Sequence, residues 1–353
     1  MASLKVLELN TERTWRGGER HTYCTLKALK SLGIDVDLLA RRDSPLAKKA
    51  KGLNITVYEV SNHLEALGFL IGRGKKYDVI HAQTPKTQNI ALLSKPIHRR
   101  PIVCTRLVDF KPKGVLSRAK YKLTDRMVAI NETIKDVLIS TGVEKIEVIP
   151  VMYEPKKANT ERARTLLREL GIDTSGKKVI ATVSAFTPQK DPLTTVKVVE
   201  ELSRRRRDFL FLHFGDGPMR SEVEREITDR DLEGFYHILG FVEDPEDFYP
   251  LFDVYIMTSL NEGTPLSVLD AFHFGVPVVS TDIPPMRETV SGRGFLCPVG
   301  DWVCIAERID ALLSDPSLKA DVVEVAHEWV KRTFSLERLG KRYMELFMTL
   351  SGR

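Results

Sequence analysis

The chain has 353 residues, 42% apolar and 29% charged. It suits two domains of about 150 residues each, in a globular composition, because a single core stops growing well below this length. The formal net charge of +5 hides an asymmetry: residues 1–150 hold 27 Lys+Arg against 15 Asp+Glu, so the first part carries +12 and the remainder −7.

No apolar run approaches the ~18 residues that a bilayer span requires. The first residues mix acid and base among apolar positions and lead straight into a strand pattern, so no signal peptide is expected. The four cysteines (Cys24, Cys104, Cys297, Cys304) show no CxxC spacing and are expected to be buried, reduced thiols in the cytoplasm.

In chain order, short apolar strands are predicted at 4–9, 36–40, 55–59, 79–82, 102–105, 127–130 and 146–149. Helical periodicity lies between them, clearest at 18–32 and 132–140. This alternation predicts a parallel sheet wrapped by helices. Residues 151–158 follow Pro150 and contain Pro155, and read as a linker. A second series follows at 179–183, 209–214, 236–239, 254–257 and 278–280. Residues 336–350 read as an amphipathic helix. The expected architecture is α/β, with two Rossmann-like, doubly wound domains facing each other across a cleft.

Such sheets bind ligands beyond the carboxyl ends of their strands. After the first strand, Gly17 and Gly18 open a long helix and would let a ligand approach the backbone. The spacing is not G-x-G-x-x-G, which argues against a nicotinamide dehydrogenase. His81 ends the fourth strand, where it would serve as a base or donor, or simply as a structural side chain. Arg106 follows the fifth strand and would hold a phosphate or an acceptor carboxylate, or pair with Asp109.

In the second half, V-S-A-F-T-P-Q-K-D-P at 183–192 places Lys190 where a diphosphate would bind; a cation in a first helical turn otherwise opposes the helix dipole. F-G-D-G-P-M-R at 214–220 is a tight turn. Gly240, Phe241 and Val242 would offer backbone groups to a nucleobase edge. The richest segment is N-E-G-T-P-L-S-V-L-D at 261–270. Thr264 is the expected N-cap and Pro265 the first helical residue, with Gly275 ending the helix. The unpartnered amides there would hold a phosphate. Glu262 would accept from sugar hydroxyls and Asp270 from a ribose. Carboxylates for hydroxyls and helix amides for a diphosphate together suit a nucleotide sugar.

This ordered set resembles the retaining glycosyltransferases of family 4, which have the GT-B fold. The resemblance is specific from about residue 179 to 297 and looser before the linker, where Gly17-Gly18, the D-V-I-H strand and N-E-T at 131–133 also fit. It implies an N-terminal acceptor domain (1–152), a C-terminal donor domain (159–334), and a last helix (335–353) packing back on the first. Lys190 would bind the donor diphosphate and Glu262 the transferred sugar. The segment Gly263, Thr264, Pro265 and Leu266 would line the sugar and phosphate, with backbone N–H groups from its non-proline residues; Phe241 and Val242 would hold the base, Gly17 and Gly18 would close on the phosphates, and His81 would lie near the transfer site. Two positions depart from the pattern: Asp270 replaces a glutamate, and Ala185 stands where an arginine usually lies five residues before the lysine.

The implied substrate is a UDP-, GDP- or ADP-sugar, with no bound cofactor and no metal. The implied chemistry is transfer with retention to a glycan or lipid-linked acceptor, in cell-envelope or lipopolysaccharide synthesis. The dense cations of residues 95–126 (among them Lys95, Lys111, Lys113, Arg118, Lys120, Lys122 and Arg126) would face an anionic inner membrane surface, or form a solvated basic face. Arg204–Arg207 reads as a solvated helix end, and no nucleic-acid partner is expected. The competing readings are a GT-B sugar-nucleotide epimerase and a non-catalytic nucleotide-sugar-binding partner.

Overall fold

The computed structural model describes residues 4–108, 111, 115–155 and 157–352, with the side chains of 115–118 excepted. Asp109, Lys113 and the Arg118 side chain therefore lie outside the described residues. The chain divides into two compact units, one formed by Met1–Glu154 with Thr333–Arg353 and the other by Pro155–Arg332.

The first unit has a seven-stranded sheet: β1 (Lys5–Asn10), β2 (Asp35–Arg41), β3 (Thr56–Val60), β4 (Val79–Ala82), β5 (Ile102–Arg106), β6 (Arg126–Ala129) and β7 (Ile146–Val148). The order is β3-β2-β1-β4-β5-β6-β7 and every pair is parallel. Helices cover a parallel sheet on both faces, so its central strands are apolar in near-continuous runs. β1 is buried at five of its six positions. Helix starts are set by side-chain caps: Asn131 Oδ1 accepts from the Ile134 amide at 2.8 Å, and Thr84 Oγ1 accepts from the Thr87 amide at 3.2 Å.

The second unit repeats the plan with β8 (Lys178–Val183), β9 (Phe209–Phe214), β10 (Tyr236–Gly240), β11 (Val254–Met257), β12 (Val278–Thr281) and β13 (Phe295–Cys297), in the order β10-β9-β8-β11-β12-β13. In each sheet the winding reverses once, between β1 and β4 and between β8 and β11. Those reversals are the places where a doubly wound sheet leaves a crevice for a ligand. The edge strand β13 is not among the predicted strands; at three residues it is too short to show a period.

The helix Leu336–Ser351 packs on the first unit. Its Leu339, Tyr343, Leu346 and Phe347 belong to the same buried cluster as Leu26, Leu29 and Val36. Gly340 sits against the helix Gly17–Ser31, where an added Cβ would lie 2.9 Å from the Ala28 Cβ.

The cysteine expectation needs correction. Cys24 and Cys104 are free and buried, and burial pushes their thiols up to about 11 and about 12. Cys297 and Cys304 form a disulfide. Cys297 ends β13 and Cys304 lies in the first turn of the helix Trp302–Ser314, so the chain doubles back between them and brings the Cα atoms to 5.8 Å. A strand-to-helix turn does what a CxxC motif does, at a spacing that looks unremarkable in sequence.

Candidate active site

At the reversal of the second sheet, the loops after β8 and β11 meet. Lys190 closes a short 3-10 turn, Pro188–Lys190, and Asp191 then adopts a left-handed conformation to cap the helix Pro192–Arg205. Its Oδ2 accepts from Thr194 Oγ1 at 2.6 Å. Thr258, just past β11, donates to the carbonyls of Lys190 and Asp191, both at 3.0 Å. The Leu260 amide donates to the Gln189 carbonyl at 2.8 Å. These bonds fix where the lysine backbone stands.

The Lys190 ammonium forms an ion pair with Glu262 Oε1, which also accepts from Ser259 Oγ at 2.7 Å. Ser259 is itself fully buried, and its carbonyl accepts from Thr281 Oγ1 at 2.5 Å. The Lys190 side chain is 23% exposed and that of Glu262 is 9% exposed. A cation and a carboxylate thus reach the surface of one loop cluster, braced by hydroxyls from β11 and β12.

The helix of this segment spans Leu266–His273 and ends as expected, with Gly275 at φ +70°. Its start differs by one residue from the sequence expectation. Pro265 is the N-cap, not the first helical residue, and it offers no side-chain cap. Thr264 is therefore one position outside the helix, because Pro265 takes an extended ψ of 102°. Asp270 is 3% exposed, on the buried side of this helix. Ser259 and Thr258 are site residues that the sequence reading missed. A hydroxyl three positions before Glu262 was the available signal.

Three further loops meet beside this cluster. The Gly215 amide donates to the Gly240 carbonyl at 2.8 Å, the Phe186 amide to the Asp216 carbonyl at 3.2 Å, and the Met219 amide to the Phe186 carbonyl at 3.1 Å. The G-D-G turn is thus laced to the loops after β8 and β10. Gly215 has φ +149°, and a Cβ there would lie 2.0 Å from the Ser184 carbonyl oxygen; at Gly217 it would lie 2.5 Å from the Phe186 oxygen. We expect Gly215→Ala to force the two loops apart and to lower the melting temperature by roughly 5 °C or more, since backbone cannot yield as a side-chain tip can. An unchanged thermal melt would contradict this packing.

His213 supports the same loops from below. Its Nε2 faces the Ser184 carbonyl at 3.1 Å, which can only accept, so Nε2 carries the proton and Nδ1 accepts from Tyr236 Oη at 2.6 Å. Burial holds His213 far below the usual histidine range, at about 3, and so keeps it neutral. Phe241 is 75% exposed at the tip of the β10 loop, and Val242 is half-buried. Ala185 is exposed. Arg220 pairs with Glu224 at 2.8 Å and with Asp216 at 3.4 Å.

In the first unit, Gly17 is exposed and Gly18 half-buried at the start of the helix Gly17–Ser31. His81 requires a correction. It is fully buried: Nδ1 meets Glu8 Oε1 at 2.8 Å and Nε2 meets Thr105 Oγ1 at 2.8 Å. Thr105 in turn contacts Tyr343 Oη at 3.1 Å. The C-terminal helix covers the face on which His81 points, so the ring packs against Tyr343 and Phe347 and reaches no ligand surface.

Much of the basic run is also committed. Lys95 pairs with Asp125 at 2.7 Å, and Arg106 is buried, with Nη1 donating to Tyr121 Oη at 2.5 Å. Arg204, Arg205 and Arg206 pair with Glu200, Glu201, Asp208, Glu307 and Asp310, and Arg207 lies over the Phe235 ring. Among the described residues no helix is long and apolar enough to cross a membrane. Among them, too, no group of three His, Cys, Asp or Glu side chains is arranged to hold a metal ion.

Comparison with known proteins places this geometry. The family model for Glycosyltransferase Family 4 matches residues 15–156, and that for Glycosyl transferases group 1 matches residues 166–329. The lipopolysaccharide core biosynthesis glycosyltransferase LpsE of Rhizobium meliloti is 24% identical over 340 residues, 94% of this chain and 95% of that protein. The 2-deoxystreptamine glucosyltransferase of Streptomyces kanamyceticus is 25% identical over 276 residues, 70% of this chain and 71% of that protein. Among solved structures, Anabaena HepE in complex with UDP and glucose superposes with a TM-score of 0.84 at 18% identity, over 98% of this chain and 100% of that one. With the two models covering both units and the sheet order repeated in each, the chain belongs to the family 4 glycosyltransferases and has the GT-B fold.

Proposed function

We propose that this glycosyltransferase moves a hexosyl or related sugar from a nucleotide-sugar donor to a hydroxyl acceptor, with retention, in cell-envelope glycan or lipopolysaccharide synthesis. The observation that carries the donor reading is the Lys190–Glu262 pair, held by Ser259 at the reversal of the second sheet, beside a helix start with no side-chain cap. Names of relatives support the process: besides LpsE, an Escherichia coli relative is a UDP-Gal:alpha-D-GlcNAc-diphosphoundecaprenol alpha-1,3-galactosyltransferase.

In this reading Lys190 leaves Glu262 for the donor diphosphate, and Glu262 turns to the sugar hydroxyls. The exchange conserves charge pairing, since the diphosphate replaces the carboxylate as the lysine's partner. As the glycosidic bond breaks, negative charge grows on the leaving diphosphate, where the Lys190 ammonium and the backbone N–H groups of Gly263, Thr264 and Leu266 stabilise it; Pro265 has no N–H to give. The diphosphate then accepts the acceptor's hydroxyl proton on the same face. Phe241 and Val242 contact the base and Asp270 the ribose. The first 150 residues, at +12, meet the acceptor at the cytoplasmic face of the membrane.

A thermal-shift screen of UDP-, GDP- and ADP-sugars tests the donor assignment. A ligand at 100 times its Kd stabilises the fold by about 2.7 kcal/mol. We expect one nucleotide class to raise the melting temperature, with UDP-sugars first because HepE is solved with UDP-glucose. No shift with any of the three would remove the reading. Turnover of the donor without acceptor would favour an epimerase, and binding without transfer a non-catalytic partner.

A further inference from the structure

A cavity of about 390 Å3 opens beyond the carboxyl ends of β1, β2 and β3 in the first unit, and nothing in the donor reading uses it. Arg13, Arg41 and Arg42 line it, together with Asp43, Ser44 and Ser61. Arg41 is the last residue of β2, and Arg13 belongs to the loop that leaves β1. The Arg42 amide is tied to the Val60 carbonyl at 2.9 Å, which holds this corner against β3.

The balance of charge there is unusual. Arg42 Nη2 reaches Glu65 Oε2 only at 4.0 Å, and the Arg13 and Arg41 guanidinium groups make no ion pair or hydrogen bond among the described residues. The neighbouring carboxylates are engaged elsewhere. Glu59 holds Lys51 at 2.6 Å and accepts from the Asp43 amide at 2.9 Å, while Glu65 accepts from the Ser61 amide at 2.7 Å. Ser44 Oγ accepts from the Ala47 amide. Asp43 is the remaining carboxylate on the wall, against three cations. Three guanidinium groups converging on one concavity repel each other, and an anion in the cavity relieves that repulsion. Their planar forks match phosphate oxygens pairwise.

We propose that this pocket binds a phosphoryl group, carried by a soluble phosphorylated molecule or by a lipid headgroup. The site is in the first unit and does not depend on the donor reading of the second. It gives the basic half of the chain a specific anion contact, in place of the diffuse run of residues 95–126.

The test titrates inorganic phosphate into wild-type protein, the Arg13→Ala/Arg41→Ala double variant and Lys190→Ala, following binding by calorimetry at low salt. Saturable binding is expected in wild type and in Lys190→Ala. In the double variant it should weaken about tenfold or more, the loss of a charge-assisted hydrogen bond per arginine. Arg41→Lys, which keeps charge but not the fork, should fall between. Both arginines reach solvent, so circular dichroism melts of the variants should match wild type. Loss in Lys190→Ala with none in the double variant would assign the phosphate to the donor site and overturn the proposal; so would the absence of saturable binding. A second arm pellets the proteins with phosphatidylcholine vesicles with and without phosphatidic acid. Weaker pelleting of the double variant identifies a lipid headgroup, whereas unchanged pelleting with weakened phosphate binding identifies a soluble phosphorylated ligand.

Discussion

Lys190→Ala is expected to lower the rate of sugar transfer by about 100- to 1,000-fold while leaving the thermal melt near that of wild type. The magnitude is that of removing one preorganised donor from a site of developing negative charge. Its geometry explains why the loss should fall mainly on kcat. Thr258 and Leu260 hold the backbone around Lys190 through three hydrogen bonds, so only the side chain has to exchange Glu262 for the diphosphate when the donor arrives. A donor that binds through its base, sugar and helix amides still enters the variant, but the leaving diphosphate then lacks its cation. Glu262→Ala should instead raise the KM for the nucleotide sugar more than the Kd for the bare nucleoside diphosphate, because its proposed partner is the sugar. Near-normal turnover in both variants would discard the site. A loss in Lys190→Ala that appears wholly in KM would mean that the lysine holds the ground state and the transition state equally.

The second large effect concerns stability, and it follows from the corrected role of His81. Glu8 is fully buried between two side chains: Oε1 meets His81 Nδ1, and Oε2 accepts from Gln83 Nε2, both at 2.8 Å. Glu8 and His81 are register partners on neighbouring strands β1 and β4. Through Thr105 the chain of bonds passes to β5 and on to Tyr343 of the last helix. Glu8→Ala removes the acceptor for two buried donors at once and opens a polar void. Each buried donor left without an acceptor costs about 1–3 kcal/mol, and the void adds to that. For a unit of this size we expect the melting temperature to fall by roughly 10 °C. Glu8→Gln, which keeps an acceptor, should recover part of that loss. Residual activity per folded molecule should stay near wild type at permissive temperature. A catalytic His81 would give the opposite pattern, with a normal melt and lost turnover, and that result would restore the sequence-based role.

The contrast between Lys190 and His81 shows what a sequence can carry. Both residues end or follow a strand, where a doubly wound sheet presents its ligands. For Lys190 the local run is sufficient to place it beside Glu262, because its partners come from the next loop in space and from motifs that are themselves recognisable. The orientation of His81 depends on which face of the first sheet is covered. That is decided by Tyr343, 238 residues away from Thr105 in the chain. Strand positions were readable to within a residue or two because buried parallel strands are continuous apolar runs. The start of the helix Leu266–His273 shifted by one residue because a proline can serve either as N-cap or as first helical residue. The Cys297–Cys304 bond escaped notice since its spacing carries meaning only once the chain is known to reverse between β13 and the following helix.

The helix Leu336–Ser351 has a consequence for biogenesis. The second unit is one uninterrupted stretch of chain, Pro155–Arg332, whereas the first is assembled from two stretches that flank it, Met1–Glu154 and Thr333–Arg353. On the ribosome, therefore, the first unit's sheet emerges early but lacks the side chains that close its interior until the helix Leu336–Ser351 has been made. The later-made half has all of its own material sooner. Order of synthesis and order of completion are reversed for the two units, and the nascent sheet waits with an apolar face uncovered until Leu339, Tyr343, Leu346 and Phe347 emerge.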